Sequence, residues 1–222
     1  MSVSPQNLIL AMNSETATLK IGVLALQGDF LEHLNMLRKL GVMAVEVRLP
    51  ADLDGLEGLI IPGGESTSIG KLATQFGLIE PLRHFIESQK AVWGTCAGMI
   101  FLAKDIGETG SGGHVDPSRL AAMNIKVNRN AFGRQVNSFE ADLTLSFAPN
   151  DRPFRAVFIR APRIEAHGKE VDILARLRDG TPVAARQGNL LVTAFHPELT
   201  DDPRLHQYFL SMVEPNREAK NE

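Results

Sequence analysis

The hydrophobic pattern becomes regular at Lys20. Residues 20–26 form a short apolar run ending in Gln27-Gly28, which predicts a buried strand. Phe30, Leu34, Leu37 and Gly41 then recur at helical spacing, with Glu32, Arg38 and Lys39 on other faces. Residues 42–47 and 58–61 read as a second and third strand. Pro62-Gly63-Gly64-Glu65-Ser66 breaks the chain, and the pattern resumes as helices over 67–76 and 81–89. A strand over 91–94 and a helix over 97–104 complete the first half. Alternating strands and helices predict a parallel sheet covered on both faces.

The rhythm changes after Asp105. Residues 106–117 are rich in Gly, Ser and Thr and read as an exposed loop, in which Gly110-Ser111-Gly112-Gly113 follows no strand. From Asn124 short β-rich runs dominate, over 125–127, 141–147, 156–159, 171–177, 183–186 and 190–195. Arg178-Asp179-Gly180 and Gln187-Gly188-Asn189 read as hairpin turns, and 203–213 as a closing helix. The expected fold is one three-layer α/β domain over 20–213. Its central sheet is mostly parallel, with mixed or antiparallel additions in the second half. Residues 1–19 and 214–222 are expected to be flexible ends.

Composition narrows the function. A length of 222 residues is about one and a half times a typical domain of roughly 150 residues, which favours one larger domain. Hydrophobic residues at 44% and charged residues at 22% fit a folded globular chain. The net charge of −3 gives no basic field for nucleic acid. The apolar run 8–12 is too short to span a bilayer, which takes about 20 residues. No later run is long enough either, so a cytoplasmic protein without a membrane partner is expected. The single cysteine, Cys96, excludes an internal disulfide and makes a cysteine zinc site improbable. It is either an inert buried thiol or a reactive one.

The neighbours of Cys96 favour reactivity. Gly94-Thr95-Cys96-Ala97-Gly98 lies between a predicted strand and a predicted helix, the arrangement of a nucleophile elbow with Cys in place of Ser. Small flanking residues let so sharp a turn pack. The helix N-terminus favours a thiolate, and the Ala97 N–H is placed to hold an oxyanion.

A thiol nucleophile needs a base, and the base an orienting partner. Of the six histidines, His33 and His84 lie in charged helical stretches and read as surface residues. His114 and His167 lie in polar, Gly-flanked loops, and His206 in the terminal helix. His196 differs: it ends the apolar run 190–195 and is followed by Pro197-Glu198. In extended chain His196 and Glu198 point to the same side, so Glu198 can hold one ring nitrogen while the other faces the thiol. No two histidines are closer than ten residues, so no local metal motif exists and no metal or other cofactor is expected.

Pro62-Gly63-Gly64-Glu65-Ser66-Thr67 lacks the lysine of a phosphate loop. Its adjacent glycines allow close backbone approach to a ligand, and Glu65 and Ser66 could add polar contacts. A tight turn with a helix cap explains the same residues without any ligand.

Taken together, these pieces resemble the class I, triad-type glutamine amidotransferases. The chain is most similar to the glutaminase subunits of pyridoxal 5′-phosphate synthase. The resemblance rests on Leu24-Ala-Leu-Gln-Gly28, Pro62-Gly-Gly-Glu-Ser-Thr67, Gly94-Thr-Cys-Ala-Gly98, Phe132-Gly-Arg-Gln-Val136, Ser138-Phe-Glu-Ala-Asp142, Phe158-Ile-Arg-Ala-Pro162 and Phe195-His-Pro-Glu-Leu-Thr200, spread over residues 21–213.

The resemblance implies a glutaminase in which Cys96 attacks the side-chain amide of L-glutamine. His196 shuttles protons and Glu198 orients it. Gly64 and Ala97 would supply oxyanion N–H groups. Gly64, Glu65, Ser66, Arg129, Ile159 and Arg160 would hold glutamine. The same likeness implies docking on a separate synthase subunit, with Gln27 and Gly28 near the contact. Two features depart from it: the extension before Lys20 and the stretch 107–117 are longer than the family pattern. A glutaminase serving another synthase, and a non-catalytic binding protein on the same fold, remain the competing readings.

Overall fold

The computed structural model describes residues 19–107, 118–129 and 138–213. The expected flexible ends, most of the 107–117 stretch, His114 and the run Phe132-Gly-Arg-Gln-Val136 lie outside the described residues.

Seven strands build the main sheet. In chain order its parallel members are β1 (Lys20–Leu24), β2 (Met43–Val47), β3 (Gly58–Ile61) and β4 (Ala91–Thr95), joined later by β12 (Leu190–Thr193). The antiparallel strands β10 (Asp172–Arg176) and β11 (Pro182–Gln187) extend it beside β12. The spatial order is β10-β11-β12-β4-β3-β1-β2. The central strands β3, β4 and β12 are buried throughout and uniformly apolar or small, as strands covered on both faces must be.

Among the described residues five α-helices cover the sheet: α1 (Phe30–Lys39), α2 (Ser66–Gln75), α3 (Ile79–Glu87), α4 (Ala97–Leu102) and α5 (Arg204–Val213). The pleat assigns their sides. Trp93 of β4 meets His33 of α1 and both His206 and Phe209 of α5. Its chain neighbour Gly94 points the other way, towards Gly98 and Leu102 of α4. The result is the expected three-layer architecture. Trp93, Phe101, Phe154, Phe158, Phe195 and Phe209 are among its largest fully buried side chains.

The second half departs from expectation in detail. The strand expected over 141–147 is β7 (Ser138–Leu143), because it pairs antiparallel with β8 (Phe154–Ile159) from Ser138↔Ile159 to Leu143↔Phe154. Residues 103 and 104, expected to end the helix, instead form β5 (Ala103–Asp105) with Asp105, beside β6 (Met123–Asn128). His167 was expected in a loop but ends β9 (Arg163–His167), which pairs with β6. β9 is mostly exposed and polar, so it carries no apolar alternation for a sequence pattern to reveal.

Candidate active site

The parallel strands share one orientation, so their C-terminal ends open at one edge of the sheet, where α/β folds place their sites. Gln27 follows β1, Gly63 and Gly64 follow β3, Cys96 follows β4 and His196 follows β12. Sequence motifs up to 169 residues apart (Gln27 to His196) are thereby brought together.

Cys96 takes φ 47° and ψ −102°, a strained conformation for a residue with a side chain. Such strain costs about 1–3 kcal/mol and persists only where the surroundings enforce it. Here they do. The Cys96 N–H donates to the Thr193 carbonyl at 2.8 Å. A Cβ on Gly98 would run into the Ile61 carbonyl, and one on Gly94 into that of Gly98. The two glycines are therefore required by close backbone approach, which is the physical content of the elbow motif. The thiol is 6% exposed, and its Sγ lies 3.8 Å from the carbonyl oxygen of Ile159.

His196 is held from three directions. Its N–H donates to the Val157 carbonyl at 2.8 Å. Its ring covers Gly63, where a Cβ would collide with the imidazole. Its Nδ1 lies 2.7 Å from Oε1 of Glu198, the pairing expected from their spacing, with Glu198 in a short 3-10 turn, Pro197–Leu199. Burial works against the charged imidazolium, but hydrogen bonds to Cys96 and Glu198 outweigh it and push the His196 pKa up to about 10. Burial likewise opposes ionisation of Glu198, yet the imidazoles of His33 and His196 hold its pKa below the usual carboxylate range. The arrangement is thus a sulfur, an imidazole and a carboxylate in series.

The glycine turn is fixed by Gln27, whose Oε1 accepts the Glu65 N–H at 2.7 Å, and by the Asp29 N–H, which donates to the Gly63 carbonyl at 3.3 Å. Gln27, expected only as a partner contact, thus also holds the turn. The Glu65 carboxylate caps α2, accepting the N–H groups of Thr67 and Ser68. The Ser68 hydroxyl and these two amides lower its pKa to about 2. Arg129 reaches the same turn, donating to Ser66 Oγ at 2.7 Å and Thr67 Oγ1 at 3.0 Å. Arg160, exposed and next to Ile159, adopts φ 43°. The candidate glutamine-contacting residues therefore lie in three groups: the glycine turn, Arg129 on it, and Ile159-Arg160 beside the thiol.

Three residues at or behind this site were not singled out from the sequence. Asp29 Oδ2 lies 3.4 Å from His196 Nδ1, the same nitrogen that contacts Glu198. Its pKa is raised by burial, with His196 opposing. His33, expected on the surface, is fully buried with Nε2 3.3 Å from Glu198 Oε2. The available signal was its place between Phe30 and Leu37, three residues from one and four from the other, on the apolar stripe of α1. His206, placed in the terminal helix without a role, lies directly behind His33. Among the described residues, Asp29, His196 and Glu198 form the one group with metal-ligand atoms mutually within 4.8 Å. Their shared Nδ1 is already engaged by Glu198, so the group suits proton transfer rather than ligation.

Comparisons with known proteins give the chain's family and relatives. Residues 23–215 match the model of the SNO glutamine amidotransferase family. The pyridoxal 5′-phosphate synthase subunit PdxT of Moorella thermoacetica is 55% identical over 88% of this chain and 100% of its own. That of Dehalococcoides mccartyi is 56% identical over 88% of this chain and 97% of its own. A crystal structure of a glutamine amidotransferase superimposes with a TM-score of 0.79 at 50% identity, covering 87% of this chain and 98% of the other.

Proposed function

The chain belongs to the SNO glutamine amidotransferase family, and we propose that Cys96, His196 and Glu198 are the triad with which it hydrolyses glutamine. The protein is the glutaminase subunit of a pyridoxal 5′-phosphate synthase, releasing ammonia for the synthase subunit. The observation that carries the triad is the strained Cys96 at the sheet's C-terminal edge, beside a buried imidazole whose Nδ1 lies 2.7 Å from a buried carboxylate.

The chemistry follows from that order. His196 holds the proton given up by the thiol while Sγ attacks the side-chain carbonyl carbon of glutamine. The N–H groups of Gly64 and Ala97 receive the oxyanion. His196 then passes its proton to the departing nitrogen, releasing ammonia and leaving a glutamyl thioester. Water, deprotonated by His196, attacks the thioester; glutamate leaves and the thiol is restored. Glutamine and water go in, and glutamate and ammonia come out. Gly64, Glu65, Ser66, Arg129, Ile159 and Arg160 line the substrate's place, where a guanidinium would grip its α-carboxylate.

Gln27 and Gly28 lie at the open edge and are the contact for the synthase subunit. Residues 20–213 act as the functional unit, in the cytoplasm. No nucleic acid, membrane or cofactor takes part. Among the described residues no helix is long and apolar enough to cross a membrane.

The test is glutamate release with and without the synthase subunit. Release should rise on adding it, and Cys96→Ala should abolish release while the two subunits still co-elute. A wild-type pair that releases no glutamate would refute the proposal, and recovery of a different synthase from lysate would change the partner.

A further inference from the structure

Behind the catalytic edge runs a second line of polar side chains that the mechanism above does not use. Glu198 is fully buried and faces two ways. Its Oε1 takes His196 Nδ1; its Oε2 has no hydrogen bond of ordinary geometry, and His33 Nε2 faces it at 3.3 Å. The same Nε2 lies 3.4 Å from Thr95 Oγ1. His33 Nδ1 lies 3.0 Å from His206 Nε2, and His206 Nδ1 is buried without a partner. Trp93 closes the side, with ring centroids 5.6 Å from His33 and 4.9 Å from His206.

Hydrogen-bond accounting gives this line a direction. A buried N–H left without an acceptor costs more than a bare ring nitrogen. His206 Nδ1 is therefore the unprotonated nitrogen, so Nε2–H donates to His33 Nδ1. His33 then carries its own proton on Nε2, the nitrogen that lies between Glu198 Oε2 at 3.3 Å and Thr95 Oγ1 at 3.4 Å. Burial lowers the His206 pKa to about 3, which fits a neutral ring.

We propose that His33, locked in its Nε2–H tautomer by His206, is a positioning residue for the triad. It holds the outer oxygen of Glu198 and so fixes the inner oxygen on His196 Nδ1, leaving the other His196 nitrogen for Cys96. This rests on the glutaminase reading. The ionisable groups involved are Cys96, Glu198 and Asp29 around His196, and Glu198, His206 and Asp29 around His33.

The experiment is steady-state glutamine hydrolysis by the assembled complex, using His33→Leu and His33→Gln. Loss of support behind an orienting group typically costs about 10- to 100-fold, so His33→Leu should lower kcat by that factor with KM within about 2-fold. The basic limb of its pH profile should move towards neutrality, because His196 loses a firmly held carboxylate. His33→Gln, whose amide N–H can stand where Nε2–H stood, should recover kcat to within about 3-fold of wild type. A folded His33→Leu with unchanged kcat and pH profile would overturn the proposal. So would equal losses in Leu and Gln, which would mean that ring shape alone matters. Independently of any variant, two-bond nitrogen–proton NMR spectra of the wild-type chain should show Nε2–H tautomers at both His33 and His206; Nδ1–H at His33 overturns the proposal. A wild-type complex inactive on glutamine would overturn the glutaminase reading, and the tautomer spectra would still decide the state of His33.

Discussion

His196 and His206 are both buried imidazoles linked through Glu198 and His33, yet their proton affinities diverge in opposite directions. The pKa of His196 rises to about 10 and that of His206 falls to about 3. Burial pushes both down. His196 has two acidic neighbours, Cys96 and Glu198, that reverse the effect. His206 has another imidazole, His33, beside it and only the more distant charge of Glu198 to oppose burial. The pair teaches that within one small buried network the partner, not the depth, sets the protonation state. One side favours the charged ring, the other the neutral ring.

Breaking the acidic partner should have the largest effect. Glu198→Gln should reduce kcat for glutamine hydrolysis by about 10³- to 10⁴-fold, the scale seen when an orienting carboxylate is replaced by its amide. Stopped assays of glutamate release by the complex would measure it, and a loss below about tenfold would mean that Glu198 does not orient His196.

The two histidines should also shape stability against pH with opposite slopes. His206 has a depressed folded pKa, so the unfolded chain binds the extra proton between pH 6.5 and about 3. Its contribution is full above pH 6.5 and is lost as pH falls through that window. His196 has a raised folded pKa, so its contribution is full below pH 6.5 and is lost as pH rises towards about 10. Each slope approaches one proton, about 1.4 kcal/mol per pH unit. Urea unfolding across pH should therefore show a flatter acid limb for His206→Gln and a flatter alkaline limb for Cys96→Ala, each relative to wild type. An unchanged limb in either variant would detach that histidine from the network.

The smallest effect is expected on the open side. Asp29 is 3.4 Å from His196 Nδ1, but its side chain is 43% exposed. A solvated ion pair contributes at most about 1 kcal/mol, so Asp29→Asn should change kcat/KM by less than about 5-fold. A larger loss would promote Asp29 from a neighbour of the triad to a working member.

The legible parts of this protein are those whose geometry is local. The elbow needs Gly94 and Gly98 because backbone passes within contact of backbone, and that need is written in five consecutive residues. His196 and Glu198 are two residues apart, and although a 3-10 turn rather than the expected extended chain joins them, so short a spacing still brings the carboxylate to the ring. The parallel half of the sheet was legible because its buried strands are continuous apolar runs. β9 was not, being exposed and polar along most of its length. His33 was misplaced because charged neighbours in sequence suggested a surface, whereas its spacing from Phe30 and Leu37 set it on the inward face.

By itself, then, the sequence singled out Cys96, His196 and Glu198 as the proposed nucleophile, base and orienting carboxylate, because the elbow motif and the short His196–Glu198 spacing are local. Only the tertiary structure decided what stands behind and beside them. His33 reaches His206 across 173 residues of chain, and Asp29 reaches His196 across the mouth of the site. No periodicity or local motif encodes such contacts. They exist because packing α1 and α5 on the Trp93 face of one sheet closes the distance.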